Sequence, residues 1–293
     1  MGDIHGQIVP LNQWTDLFIP MVTYRMYCYC YISSPTAKNI IVMHTPILSI
    51  KHCLKAYQLL GEKYGFNIFA IDYCPGLGMS DGDAADFTLS GMVQDVDRVF
   101  DFIESNWAPQ VYLLGYTGIG GVYAQYYMSL RNRGAAFAQF ACCNHRDVTP
   151  LGYPKWAVQL MLPLLKTALK IKPHMTLFFK EPPYAGPFAE EDNNVYKELE
   201  RLEPKFRKSL ANTIYQLLLC IMSQESPIQV PVQVPTLVFK TLYDRYFPCV
   251  YFDQYFATLE CDKKMVTIHS AHNSYYFAPE LFCVEIAGWF DQH

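Results

Sequence analysis

Short apolar runs rich in β-branched and aromatic residues alternate along the chain with longer stretches of helical periodicity. The runs predict strands over 23–32, 39–45, 67–73, 110–116 and 137–143, and again over 235–242 and 264–270. Between them the pattern predicts helices over 52–64, 90–106, 119–130 and 279–291, with Ser90 as the cap of the second. From 145 to 233 the strand rhythm stops. Helices are expected there over 156–171, 193–201 and 206–222, separated by breaks such as Pro182-Pro183. The expected architecture is α/β: a mainly parallel sheet with helices on both faces, built from 1–144 and 234–293 and interrupted by a helical cap at 145–233.

Composition narrows the function classes. With 51% hydrophobic and 17% charged residues the chain carries enough apolar side chains for a large core, which excludes disorder. A net charge of −4 offers no basic stripe to neutralise phosphates, so nucleic acid is not an expected partner. No charge occurs between Glu104 and Arg131, but Pro109, Gly115, Gly118, Gly120 and Gly121 interrupt that stretch. It reads as a buried strand, a turn and a helix, not a transmembrane segment. The first ten residues carry Asp3 and no apolar run, so no secretory signal is expected. The ten cysteines form no Cys-x-x-Cys pair and read as buried thiols, in keeping with a cytoplasmic protein.

Four segments, in order, carry the chemistry. They are Ile40-Ile-Val-Met-His-Thr45, Asp72-Tyr-Cys-Pro-Gly-Leu-Gly-Met-Ser80, Leu113-Leu-Gly-Tyr-Thr-Gly-Ile-Gly-Gly121, and the pair Leu242-Tyr-Asp244 with His269-Ser-Ala-His272. Together they resemble the α/β-hydrolase superfamily: its oxyanion strand, its Asp-x-x-Gly-x-Gly-x-Ser turn, its nucleophile elbow, and its acid and base loops. The resemblance covers nearly all of the chain outside the cap and rests on order and spacing. It implies a cofactor-independent enzyme with Asp244 as the acid and His272 as the base. Asp147 is an alternative acid.

The elbow departs from the family's Gly-x-Ser-x-Gly-Gly by one extra residue. Counting from Gly115 puts Thr117 at the nucleophile position; counting back from Gly120-Gly121 puts Gly118 there, with no side chain. A strained turn favours glycine, whereas a threonine hydroxyl beside an imidazole supplies a nucleophile, and the sequence leaves both open. In the oxyanion loop His44-Thr45-Pro46 replaces His-Gly-x, and Pro46 has no backbone N–H to donate. His44, Thr45, Tyr116 and Gly118 are therefore the candidate substrate and oxyanion contacts. His269 and His272 lack a third ligand nearby, so no metal is expected.

Three readings follow. The first is hydrolysis of an ester, thioester or related acyl bond in a hydrophobic small molecule, with Leu160, Leu162, Leu164, Leu165 and 217–219 forming an apolar chamber in the cap. The second is a lyase or cyclase that uses His272 and Asp244 as a general base without covalent catalysis. The third is a non-catalytic binding protein, as the N-myc downstream-regulated family is thought to be. Lys166, Lys170 and Lys172 read as a solvated helix face.

Overall fold

The computed structural model describes residues 2–4, 7–46, 49–116, 118–140, 154–178, 183–202, 208–223 and 232–293. The strands are β1 (Gly2–Ile4), β2 (Gln7–Val9), β3 (Trp14–Pro20), β4 (Arg25–Tyr31), β5 (Asn39–Met43), β6 (Asn67–Ile71), β7 (Val111–Gly115), β8 (Phe137–Gln139), β9 (Thr176–Phe178), β10 (Lys208–Leu210), β11 (Thr236–Tyr243) and β12 (Lys263–Ala271). The α-helices are α1 (Leu54–Gln58), α2 (Leu89–Asn106), α3 (Gly118–Arg131), α4 (Lys155–Ile171), α5 (Ala189–Leu202), α6 (Ala211–Ser223), α7 (Cys249–Thr258), α8 (Ser274–Phe277) and α9 (Glu280–Gln292).

Eight strands form the central sheet in the order β12-β11-β8-β7-β5-β6-β4-β3. The six from β12 to β6 run parallel, while β4 and β3 extend the sheet by antiparallel pairing. The central parallel strands are buried on both faces, which is why Asn39–Met43, Asn67–Ile71 and Val111–Gly115 read as nearly continuous apolar runs. Alternate residues feed two separate cores. Ile41, Met43, Phe69, Ile71 and Leu113 face α2 and α3; Ile40, Val42, Ile68, Ala70 and Leu114 face α1 and α9. Each large aliphatic side chain buried this way contributes about 1.5–3 kcal/mol.

Several local readings are corrected. The cap of α2 is Thr88, whose hydroxyl accepts the Gly91 N–H at 3.0 Å, because the helix starts at Leu89, two residues earlier than a Ser90 cap requires. The predicted helix over 52–64 divides into a 3₁₀ turn (Ile50–Cys53), α1 and a π turn (Leu59–Lys63). In that π turn Gly61 lies against the Tyr31 ring, where a Cβ would sit 2.8 Å from the ring edge. The helix expected from 206 begins at Ala211, since Lys208–Leu210 pairs with Thr176–Phe178 in a two-stranded ribbon outside the central sheet. The apolar pattern does not mark the edge strand β3. Its inward side chains are Leu17 and Ile19, too few to mark an alternation against Asp16 and Pro20.

Between β8 and β11 the described chain forms α4, α5, α6 and the β9–β10 ribbon, none of it in the central sheet. Helix α6 is seated by Asn212, whose side-chain amide donates to the carbonyls of Ala84, Ala85 and Phe87, and by Gln216, which accepts the Leu89 N–H. The expected apolar chamber is not formed as predicted. Helix α4 packs on α6 through Val158 and Leu162, so Leu160 and Leu164 point outward, at 66% and 72% exposure. Leu217 and Leu218 are core residues.

Candidate active site

The chemistry-bearing segments all leave the sheet at the carboxyl ends of parallel strands, where open α/β sheets bind ligands. His44 follows β5, Asp72 follows β6, Tyr116 follows β7, Asp244 follows β11, and His272 follows β12.

Asp244 and His272 meet there. Nδ1 of His272 lies 2.7 Å from Oδ2 of Asp244, and the two side chains are 8% and 0% exposed. The carboxylate has a full set of donors. Oδ1 accepts the backbone N–H groups of Tyr246 and Phe247 at 2.8 and 2.9 Å, and Oδ2 also accepts the Thr241 hydroxyl at 2.9 Å. A carboxylate on Nδ1 requires the proton there, which makes Nε2 the basic nitrogen. The imidazole is enclosed by aromatic rings: Tyr246 edge-on at 4.7 Å, Phe247 stacked at 6.1 Å and Tyr275 edge-on at 6.2 Å.

The elbow side connects to this pair through Tyr116. Its ring is fully buried and its hydroxyl donates to the Tyr275 carbonyl at 2.8 Å, three residues beyond His272. Burial pushes the phenols of Tyr116 and Tyr275 well above their ordinary range, so both remain neutral. The Tyr116 side chain thus supports the floor of the site and does not project into it. Gly118 is the first residue of α3, so its N–H belongs to the unpaired first turn of a helix. Gly120 packs where a Cβ would collide with the Met43 carbonyl and the His44 backbone, which explains the small residue at that position. Thr117 and Asp147 lie outside the described residues.

His44 and Asp72 form a second buried pair, with Nε2 to Oδ1 at 3.0 Å; the other ring nitrogen faces the Thr45 carbonyl at 2.6 Å. Both partners are acceptors, so the ring is held by its neighbours and is not aimed at a ligand. Asp72 also accepts the Met79 N–H at 2.8 Å, and Ser80 donates to the Asp72 carbonyl at 2.7 Å while accepting the Tyr27 N–H. Gly78 has φ +60°, and a Cβ there would collide with the Asp72 carboxylate. The Asp72–Ser80 turn is therefore a brace that fixes the loop carrying Thr45. Thr45 itself is 6% exposed, and its hydroxyl has no hydrogen-bond partner among the described residues.

Sequence reasoning missed Asp192. This α5 carboxylate is fully buried; Oδ1 accepts the Asn273 N–H at 2.9 Å, next to His272, and Oδ2 lies 3.5 Å from Arg245, next to Asp244. Arg245 is held over the rings of Tyr184, Tyr196 and Tyr246 at 5.6, 5.2 and 5.4 Å. One side chain between the sheet segments thus touches both loops of the pair. His269 is exposed and accepts or donates at Tyr243, away from His272.

No protein-family model and no curated protein sequence matches the chain. Solved structures do. The complex of DcsB with its substrate analogue superposes with a TM-score of 0.73 at 15% identity, over 96% of this chain and 99% of that one. The α/β hydrolase GrgF from Penicillium sp. sh18 gives 0.70 at 15% identity, over 96% and 99%. The esterase EaEST from Exiguobacterium antarcticum gives 0.66 at 17% identity, over 94% and 100%. These likenesses show that the chain has the α/β-hydrolase fold.

Proposed function

We propose that the protein is an α/β-hydrolase-type enzyme that cleaves an ester, thioester or related acyl bond of a hydrophobic small molecule, beneath a cap formed by residues 145–233. The observation that carries this reading is the 2.7 Å contact between His272 and Asp244 at the carboxyl edge of the sheet, saturated on the acid side and walled by aromatic rings. In this reading the Thr117 hydroxyl attacks the acyl carbon and gives its proton to Nε2 of His272, while Asp244 holds the ring and stabilises the imidazolium. The proton then passes to the leaving group, and water, activated by the same nitrogen, releases the acid. The N–H of Gly118 at the start of α3 and the hydroxyl of Thr45, which has no partner among the described residues, are the donors suited to the developing oxyanion, in place of the N–H that Pro46 lacks.

Among the structural neighbours, an esterase and an enol-lactonase carry activities of this class in their names. Pro46 favours a second reading, in which His272 acts as a general base for a lyase or cyclase with no acyl-enzyme. Turnover of an acyl-substrate panel, with intact-mass detection of acylated enzyme, separates the two. Covalent catalysis predicts that Thr117→Ala and His272→Ala both abolish turnover while Thr117→Ser preserves it. Aryl esters should turn over more slowly than about ten per second, the typical enzyme value. Full activity in Thr117→Ala would leave the base-only mechanism.

A further inference from the structure

Helix α4 is apolar on two opposite faces, and the fold covers one of them. Val158 packs against Ile214 and Leu218 of α6, with Leu162 beside it. On the other side Trp156, Leu160 and Leu164, spaced four apart, form a ridge that Ile171 continues after two more turns; these four are 66%, 66%, 72% and 82% exposed. Single exposed apolar residues are ordinary, but four aligned along one helix make a contiguous face that wants a partner.

The flank of that ridge is basic. Lys155, Lys166 and Lys170 share one side at helical spacing, and Lys172 follows the last turn. No Asp or Glu occurs between Asp147 and Glu181, in a chain whose net charge is −4. Lys166 and Lys170 make no ion pair with the described residues. An open cavity of about 470 Å³ lies between them and Asp83 and Asp86, and Asp83 is engaged by His174 at 3.4 Å.

We propose that this face of α4 docks on an anionic lipid surface, with the helix in the plane of the interface, the ridge at the acyl boundary and the lysines at the phosphates. The charge decides the occupant. An apolar ridge on a helix that carries four nearby lysines and no carboxylate complements a negatively charged bilayer, whereas a second copy of the same face would bring lysines to lysines with no carboxylate on the helix to answer them. Orientation follows from length: α4 has 17 residues and contains Pro163, and no helix among the described residues is long and apolar enough to cross a membrane. Trp156 stands at the start of the ridge, a residue suited to the headgroup level. This inference rests on α4 alone and is independent of the catalytic reading.

The test uses the full chain with vesicles of phosphatidylcholine alone and of phosphatidylcholine mixed with phosphatidylserine, followed by cosedimentation and tryptophan emission. Partition onto the anionic vesicles is expected to exceed that onto neutral ones by about tenfold or more and to fall with added salt. Emission should shift to the blue as Trp156 leaves water. Leu160→Glu with Leu164→Glu should abolish binding, and Lys166→Gln or Lys170→Gln should weaken it about fivefold each. Thermal denaturation checks that these exposed changes leave the fold intact. Equal, weak partition onto both vesicle types would overturn the proposal, as would binding indifferent to the paired glutamates. A wild-type dimer in solution that Leu164→Glu converts to monomer, without vesicle binding, would assign the ridge to a second copy and also overturn it.

Discussion

The hydroxyl of Thr45 is buried with no hydrogen-bond partner among the described residues. A buried hydroxyl without a partner costs about 1–3 kcal/mol, and valine has nearly the same shape without the polar atom. Thr45→Val is therefore expected to keep or raise the melting temperature while lowering kcat by about a hundredfold or more, the usual loss when one oxyanion donor is removed. Paired melts and single-substrate kinetics check both signs at once; a stabilised variant with unchanged kcat would assign the hydroxyl no role. Residues differ in how openly their surroundings show in the chain. Asp244 and His272 could be read from order alone, because each follows a strand that the apolar pattern marks. The environment of His44 could not, since nothing local says that its ring closes on Asp72 or that Tyr116 spends its hydroxyl on Tyr275.

At the scale of elements, the helix over 193–201 read from the sequence would leave Asp192 outside its start, an ordinary place for an acid. The helix instead begins at Ala189, and the extra turn rotates Asp192 inward onto Asn273 and Arg245. Periodicity reports which face of a helix is apolar and is silent on a polar group satisfied by distant loops, so this contact was not legible. Asp192→Ala should leave Arg245 without its carboxylate and Asn273 without its acceptor, at a cost of about 3 kcal/mol or more. Asp192→Asn keeps an acceptor for Asn273 and should lose less. The diagnostic outcome is kcat falling further than stability explains: at a temperature where both variants are fully folded, Asp192→Ala should be slower than Asp192→Asn, and equal rates would reduce α5 to a packing element.

On the scale of the whole molecule, burial weighs on the thiols as well as on the chemistry. It pushes Cys30, Cys53 and Cys283 up to about 12 from the ordinary 9.0. The unfolded chain ionises these groups first as pH rises, so their contribution to stability is complete below pH 9 and is lost as pH rises from 9 towards 12. Melting temperatures measured across that window should fall, and Cys53→Ser should flatten part of the fall; a level profile would show that these groups do not govern alkaline stability. The parallel sheet was the most legible part of the fold, because strands buried on both faces leave unbroken apolar runs. The order in which they associate leaves no such trace, and it sets a mechanical condition. Strand β8 has three residues, and the same three pair with β7 on one side and β11 on the other. That strip is the seam between two plates: one carries the elbow, the other carries Asp244 and His272. In the proposed mechanism the base on one plate and the nucleophile on the other are aligned only while the seam stays closed, so the shortest strand of the sheet would govern the alignment of the site.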